Sequence, residues 1–413
     1  MEVGGCDLVE LARHHGTPLY VYDEATVRQR ASEYVAAMGD AGEVLYSAKA
    51  FASPQFLRVV AEEGLGLDVV SAGELNLALK SGFPRDLIHF LGNNKSLEDL
   101  KSAYAAGATI VIDGMYEFEL LREVVPEGKR AHVMLRLSPG VKPDTHDHIS
   151  TGQLDSKFGF SIESGAARKA VEAALQHPRL ELVGLHSHIG SQILALGAYE
   201  KAMDIMLTLL VELRDELGFE PRRLGAGGGL GIAYTQNDDP PTPRHFVETV
   251  RHALDIGCAR RSLRVPRLVV EPGRSIAGPA GVALYTVGSI KDIPGVRRYV
   301  AVDGGMGDNI RPKLYGARYE AFLASDPERA TDGKVTIAGK YCESTDILIS
   351  DIEMPPLRPG DVIAVPAAGA YCLAMASNYN GMPRPEVLML RDGEARVMRR
   401  RETLDDLVAA EVF

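Results

Sequence analysis

The sequence predicts an α/β chain built from a TIM-like (β/α)8 barrel and a C-terminal β domain. Three observations carry that expectation. Eight short apolar, β-branched runs alternate with stretches of helical spacing over about 240 residues. Polar and glycine residues gather at the C-terminal ends of those runs. Beyond about residue 280 the helical spacing gives way to strands parted by Gly, Pro and Asp turns.

The eight runs are EVLYSAK (43–49), LGLDVVS (65–71), LIHFLG (87–92), TIVID (109–113), HVMLRL (132–137), LVGLHSHIG (182–190), RRLGAGGGLG (222–231) and RLVVEPGR (267–274). Segments between them, such as SAGELNLALKSG and SLEDLKSAYAAG, open on Ser, a good N-cap, and close on Gly, the usual stop. Eight strand–helix units are what a closed barrel requires. A doubly wound open sheet is the alternative, and no G-x-G-x-x-G at the first turn speaks for it. The tail runs VALYTVGSIKDI, RRYVAVDGG, KVTIAGKYC, DILISDI, DVIAVPAAGAY and EVLMLRDGEARVMRR read as strands, with Asp392-Gly393 as a hairpin turn. PLYVYD (18–23) also reads as a strand and joins this domain. The expected division is a barrel over 30–278 and a β domain of 1–29 and 279–413.

Composition narrows the function. Apolar residues at 46% and charged residues at 24% fit a globular chain with a real core. A net charge of −11 has the wrong sign for a nucleic-acid or anionic-membrane partner, so neither is expected. The N-terminus MEVGGCDLVELARHHG lacks the apolar stretch of a secretory signal, and no run approaches a membrane span. Cys6, Cys258, Cys342 and Cys372 form no C-x-x-C pair, so neither a disulfide framework nor a structural metal is expected. The expected compartment is the cytoplasm.

In a barrel of this kind chemistry sits at the C-terminal strand ends. Strand one ends in Lys49, strand two carries Asp68 and Ser71, and strand three gives way to GNNK (92–95); strands six, seven and eight run into HSHIG, GGGLG and EPGR. A lysine at a strand end is ordinarily a snorkelling side chain. Its functional reading is a desolvated amine able to form a Schiff base. That reading needs an anion cradle and a partner for a ring nitrogen close by. GAGGGLG (225–231) offers backbone N–H groups with no Cβ in the way, though a glycine cluster alone is as often a tight turn. EPGR (271–274) sets a carboxylate and a guanidinium at the end of strand eight, where an ion pair closing the mouth is the plainer alternative. His188 alone would be a hydrogen-bonded structural histidine.

Taken in order, YSAKAF, DVVSAGEL, FLGNNKS, HSHIGSQ, GGGLGIAY, EPGRSIAG, VDGGMGDNIRPKLYGA, GKYCESTD and GAYCLAMASNYNG resemble the fold-type III pyridoxal-phosphate decarboxylases. These have the alanine racemase-like fold and include the enzymes acting on ornithine, diaminopimelate and arginine. The resemblance runs from about residue 17 to the C-terminus and is greatest to the diaminopimelate-acting branch.

The resemblance implies pyridoxal 5'-phosphate held on Lys49, with His188 against the ring and Glu271 at the pyridine nitrogen. Ser191, Gly228, Gly229 and Tyr371 match phosphate contacts, and Asp68, Pro272, Gly273 and Arg274 complete the cofactor set. Arg274, Arg311, Tyr315 and Tyr371 match substrate-binding positions, the arginines suiting carboxylates. Cys342 resembles a proton donor supplied by the other subunit of a homodimer with shared active sites, and Glu343 the residue that reads the substrate's distal ammonium. The implied reaction is decarboxylation of meso-2,6-diaminopimelate to L-lysine, the last step of lysine biosynthesis. Decarboxylation of ornithine, arginine or carboxynorspermidine is the rival within the fold, and a non-catalytic binding homologue the rival outside it. Phe51 stands where the family often has Asn, beyond the lysine and outside its chemistry.

Overall fold

The computed structural model describes residues 1–142 and 156–412. The chain forms two units. One comprises Arg30–Ile232 and Asp239–Ser275; the other comprises Met1–Gln29, Ala233–Asp238 and Ile276–Phe413.

The first unit is the expected barrel. Its strands are β1 (Gly42–Ser47), β2 (Gly66–Val69), β3 (Ile88–Phe90), β4 (Thr109–Ile112), β5 (Ala131–Ser138), β6 (Leu180–Ser187), β7 (Arg223–Gly227) and β8 (Arg267–Val270). Each pairs in parallel with the next, and β8 pairs with β1, which closes the ring. All eight fall on the runs expected from the sequence. β2, β3 and β4 are buried along their whole length, as strands covered on both faces must be, which is why they read as continuous apolar runs rather than alternating ones. A short strand, Phe160–Ser161, adds to β5 and was not anticipated. Two residues are too few to leave a periodic signal.

Helices between the strands start where serine caps them. Ser53 accepts from Phe56 N ahead of Pro54–Glu62, and Ser71 from Glu74 N ahead of Ala72–Lys80. Ser96 and Asp99 form a full capping box for Leu97–Ala106, which ends on Gly107 at φ 76°. Each such cap stabilises its helix by about 1 kcal/mol.

The second unit is a mixed sheet of β9 (Gly281–Ile293), β10 (Arg297–Val302), β11 (Gly333–Ala338), β12 (Ile347–Met354), β13 (Val362–Val365), β14 (Glu386–Arg391) and β15 (Glu394–Arg399). The strand Leu19–Asp23 lies within this sheet, antiparallel to β9 and parallel to β14. Its alternate residues Leu19 and Val21 enter a core with Leu8, Leu11, Leu284, Leu388 and Leu390. The β14–β15 hairpin turns at Asp392 and Gly393, both at positive φ (52° and 82°), the requirement of a tight I′ turn. No helix among the described residues is long and apolar enough to cross a membrane.

One buried contact fixes the rim of the barrel. Lys95 Nζ lies 2.7 Å from Glu117 Oε2 and donates to Gly92 O at 2.7 Å, with both charged side chains at most 4% exposed. It ties the GNNK loop after β3 to the helix Tyr116–Val124 after β4. Lys95 thus faces a protein carboxylate rather than a ligand. Burial pushes the Lys95 amine down and the Glu117 carboxyl up, and each partner opposes the other's shift. Lys95→Met leaves Glu117 buried and unpaired, which costs ~3–5 kcal/mol, so the melting temperature should fall by about 10 °C. Adding Glu117→Leu should restore most of that loss. If thermal unfolding shows the double variant as unstable as the single, the contact is not the source of the penalty.

Candidate active site

Strand β1 runs into a short 3-10 turn, Ala48–Ala50, which buries Ala48 and Ala50 in the barrel wall and turns Lys49 out at the mouth. The Lys49 side chain is exposed, whereas a desolvated amine was expected. The turn buries the residues on either side of Lys49 instead. The surroundings of Lys49 are electrostatic rather than dry: the carboxyls of Asp68, Glu74 and Glu271 all feel its charge.

Glu271 is 6% exposed, and its Oε2 lies 2.9 Å from His186 Nε2. An ionised carboxylate only accepts, so the hydrogen in this contact is on the imidazole. Burial opposes the charged form, but His186 above all outweighs it and holds Glu271 below the usual carboxylate range. Asp68, equally buried, accepts from Ser47 Oγ at 2.7 Å, while its Oδ1 has no partner among the described residues. Burial and the charge of Glu271 push Asp68 up to about 7. Two carboxyls in one mouth are thereby driven apart, one staying anionic and the other titrating near neutrality.

His188 follows His186 by two residues, just past the end of β6. Burial, then Lys49 and Arg136, push His188 well below its ordinary value and keep the imidazole neutral. Its Nδ1 accepts from Gly228 N at 3.3 Å, which leaves the hydrogen on Nε2.

The cradle after β7 is backbone packed on backbone. A Cβ on Gly228 would lie 1.9 Å from Glu271 O, and one on Gly229 (φ +102°) would lie 2.1 Å from Gly190 O. No side chain fits at either position. Tyr199 OH donates to Gly228 O at 3.0 Å and holds the cradle from behind. Arg274 Nη2 donates to Ser191 Oγ at 2.8 Å, joining EPGR to HIGS. Ser47 N donates to Pro272 O at 3.0 Å, and a Cβ on Gly273 would meet Ala50 Cβ at 3.0 Å, so EPGR also packs on the Lys49 turn.

The barrel therefore brings together Lys49, Asp68, His188, Ser191, Gly228, Gly229, Glu271, Pro272, Gly273 and Arg274. Sequence reasoning passed over His186 and Arg136. The first had a signal in its two-residue spacing from His188. The second had one as the lone cation inside the apolar run HVMLRL; it is buried, 3.7 Å from Asp113 Oδ1, with its guanidinium 4.2 Å over the Phe158 ring.

The remaining candidates lie on the second unit. Cys342 and Glu343 are exposed on a loop pinned by buried Asp346, which accepts from Met306 N at 2.7 Å and Tyr341 N at 2.9 Å. Cys342 N donates to Asn380 Oδ1 at 2.8 Å. Hydrogen bonds from Thr345 and Ser344 hold Glu343 below its ordinary range, so it is a fixed anion. Arg311 opens the helix Arg311–Tyr315 and is buried, while Tyr315 at its other end is half-buried. Tyr371 is half-buried at φ 63°, and Cys372 beside it is buried.

A phosphate-bearing aromatic aldehyde fits the residues of the barrel mouth. Glu271 is a buried anion for a protonated ring nitrogen, and Asp68 Oδ1 is an orphaned buried acceptor. The cradle at 227–229 admits backbone only, and Ser191 and Arg274 stand hydrogen-bonded to each other.

Comparison with known proteins agrees. The family model described as "Pyridoxal-dependent decarboxylase, pyridoxal binding domain" matches residues 24–278. The diaminopimelate decarboxylase of Bacillus subtilis is 48% identical over 414 residues, covering 99% of this chain and 94% of that protein. That of Bacillus methanolicus is 45% identical over 408 residues, covering 97% and 94%. The crystal structure of diaminopimelate decarboxylase from M. jannaschii in co-complex with L-lysine superposes with a TM-score of 0.91 at 35% identity, over 98% of this chain and 94% of that one. With more than half of its length matched by the family model and nearly all of it by these relatives, the chain belongs to the pyridoxal-dependent decarboxylases.

Proposed function

We propose that the protein decarboxylates meso-2,6-diaminopimelate to L-lysine and CO2, using pyridoxal 5'-phosphate. The observation that carries the chemistry is the anionic Glu271, buried on His186 behind the glycine cradle. The substrate is supported by the relatives at 45–48% identity, which are named for that reaction.

Bound at the mouth, the cofactor supplies an electron sink for the pair left on Cα when CO2 departs. The chain's residues do the rest. Lys49 would be the amine that holds the cofactor. Glu271, anionic at neutral pH, keeps a proton on the ring nitrogen, without which the sink fails. His188, neutral, would lie against the ring without adding charge. Gly228, Gly229, Ser191, Arg274 and Tyr371 take the phosphate, and Asp68, Pro272 and Gly273 shape the cofactor's bed.

Arg311, Tyr315, Arg274 and Tyr371 take the substrate. Arg311 supports this role directly: it is a buried guanidinium with no carboxylate partner among the described residues, ready for one from a ligand. Arg274 and Arg311 together suit a dicarboxylate, whereas ornithine or arginine, each with a single carboxylate, would leave one of the two guanidiniums unmatched. Glu343 offers its fixed negative charge to the distal ammonium, and Cys342 Sγ delivers the proton to Cα. The exposure of Cys342 and Glu343 on a pinned loop supports their service to the partner subunit of a homodimer. The cytoplasm is the proposed compartment, where a reducing medium keeps the free thiols as thiols.

Parallel incubation of the holoenzyme with meso-diaminopimelate, ornithine and arginine tests the reading. CO2 should come from the first alone, and borohydride reduction should leave the pyridoxyl group on Lys49. Release from ornithine or arginine at a comparable rate would shift the substrate assignment to the rival decarboxylases.

Glu343→Gln should lower kcat/KM for diaminopimelate by on the order of a hundredfold while cofactor binding is unchanged, since it strips the distal ammonium of its counter-charge. Full activity at unchanged KM would remove Glu343 from the substrate site.

Shared sites predict complementation. Lys49→Ala and Cys342→Ala proteins, each nearly inactive, should recover roughly a quarter of wild-type activity per site on mixing, because random exchange makes half the dimers mixed with one intact site. No recovery after proven subunit exchange would place Cys342 with Lys49 of its own chain.

A further inference from the structure

The surroundings of Arg311 are of an unusual kind. Its guanidinium is charged at any working pH, yet it is buried to 4% exposure with no carboxylate beside it among the described residues. Instead it lies 4.7 Å from the Tyr234 ring centre and 5.6 Å from that of Tyr319. The two rings stand edge to face, 5.2 Å apart at 79°. Arg311 Nη1 also donates to the Tyr319 hydroxyl, while Nε has no partner among the described residues.

The hydrogen bonds continue in one direction. Arginine has only donors, so the Tyr319 oxygen accepts from it, and its own hydrogen points to Cys372 Sγ at 3.4 Å. The Cys372 thiol in turn donates to Ala370 O at 3.7 Å. Burial pushes the Tyr319 hydroxyl well above its ordinary value, so it stays protonated and keeps this polarity.

We propose that Tyr234 and Tyr319 are positioning residues that cage Arg311 for the substrate carboxylate, with Cys372 orienting the Tyr319 hydroxyl. The physical logic lies in what the cage withholds. A protein carboxylate would stabilise the buried cation and then compete with the ligand for it. Aromatic faces and one neutral hydroxyl stabilise the cation without cancelling its charge. The guanidinium surrenders its rotamer freedom on folding rather than on each binding event, and its remaining N–H donors are left for the carboxylate. Tyr234 closes the run GGGLGIAY, and Cys372 directly follows Tyr371, so the cage is drawn from the segments next to two cofactor-contacting positions.

This inference rests on reading Arg311 as a carboxylate-binding residue, and steady-state kinetics of the holoenzyme separate the two. Tyr319→Phe, which removes only the hydroxyl, should raise KM for meso-diaminopimelate about tenfold and leave kcat within about twofold. Tyr234→Leu, which removes a ring face, should act in the same direction. Cys372→Ser should behave as wild type, whereas Cys372→Ala should follow Tyr319→Phe more weakly. The cofactor absorbance should be unchanged throughout. Arg311→Met should raise KM far more, and in that background Tyr319→Phe should add nothing. An unchanged KM for Arg311→Met would defeat the carboxylate reading of Arg311 itself. A raised KM for Arg311→Met with no effect of Tyr319→Phe, or the same tenfold effect in both backgrounds, would overturn the cage alone. Should Tyr234→Leu fail to fold, the near-isosteric Tyr319→Phe still decides.

Discussion

The barrel mouth depends on one buried contact, Glu271 to His186. A carboxylate removed from water loses several kcal/mol of hydration, and only a well-placed partner offsets that. His186 sits near the end of β6 and Glu271 just past the end of β8, so the contact spans β7 between them. With Glu271 held there, the peptide after it follows a fixed path: Pro272 O accepts from β1, Gly273 packs on Ala50, and Arg274 reaches Ser191. The glycines of the cradle answer to the same constraint. Gly228 lies so close to Glu271 O that a methyl group there would force the two strand ends apart.

Electrostatics then divides the labour. Glu271 and Asp68 are both buried carboxyls of one mouth, yet His186 keeps the first ionised while burial and then the charge of Glu271 drive the second up to about 7. His188, desolvated by burial and then crowded by Lys49 and Arg136, stays neutral. Lys49 keeps its solvent contact in the midst of this field. Carboxyls gathered around it, rather than burial, mark its surroundings, unlike the desolvated amine that the buried run before it suggests.

Two buried cations in the molecule show how burial alone does not reveal a role. Lys95 is matched by Glu117 at 2.7 Å and is thereby satisfied; it braces the rim. Arg311 is given two rings and a hydroxyl but, among the described residues, no anion. The first arrangement is complete within the chain. The second leaves the guanidinium Nε without a partner among the described residues.

Period and punctuation in the sequence determined the architecture. Strands covered on both faces must be apolar throughout, helices need their serine caps and glycine stops, and a two-residue hairpin needs positive φ at both positions, so each element left a local mark. The residues of the mouth were legible for the same reason: Lys49, Glu271 and the 227–229 glycines end apolar strands where polar residues have no packing use. Tertiary structure alone decided the partnerships. Which histidine of HSHIG meets Glu271, that Lys95 is satisfied by Glu117, and that Tyr234, Tyr319 and Cys372 gather about Arg311 are matters of contact between residues as much as 85 positions apart. Such pairs share no period and no spacing. Only the closed chain brings them within the few ångströms over which hydrogen bonds and buried charges act.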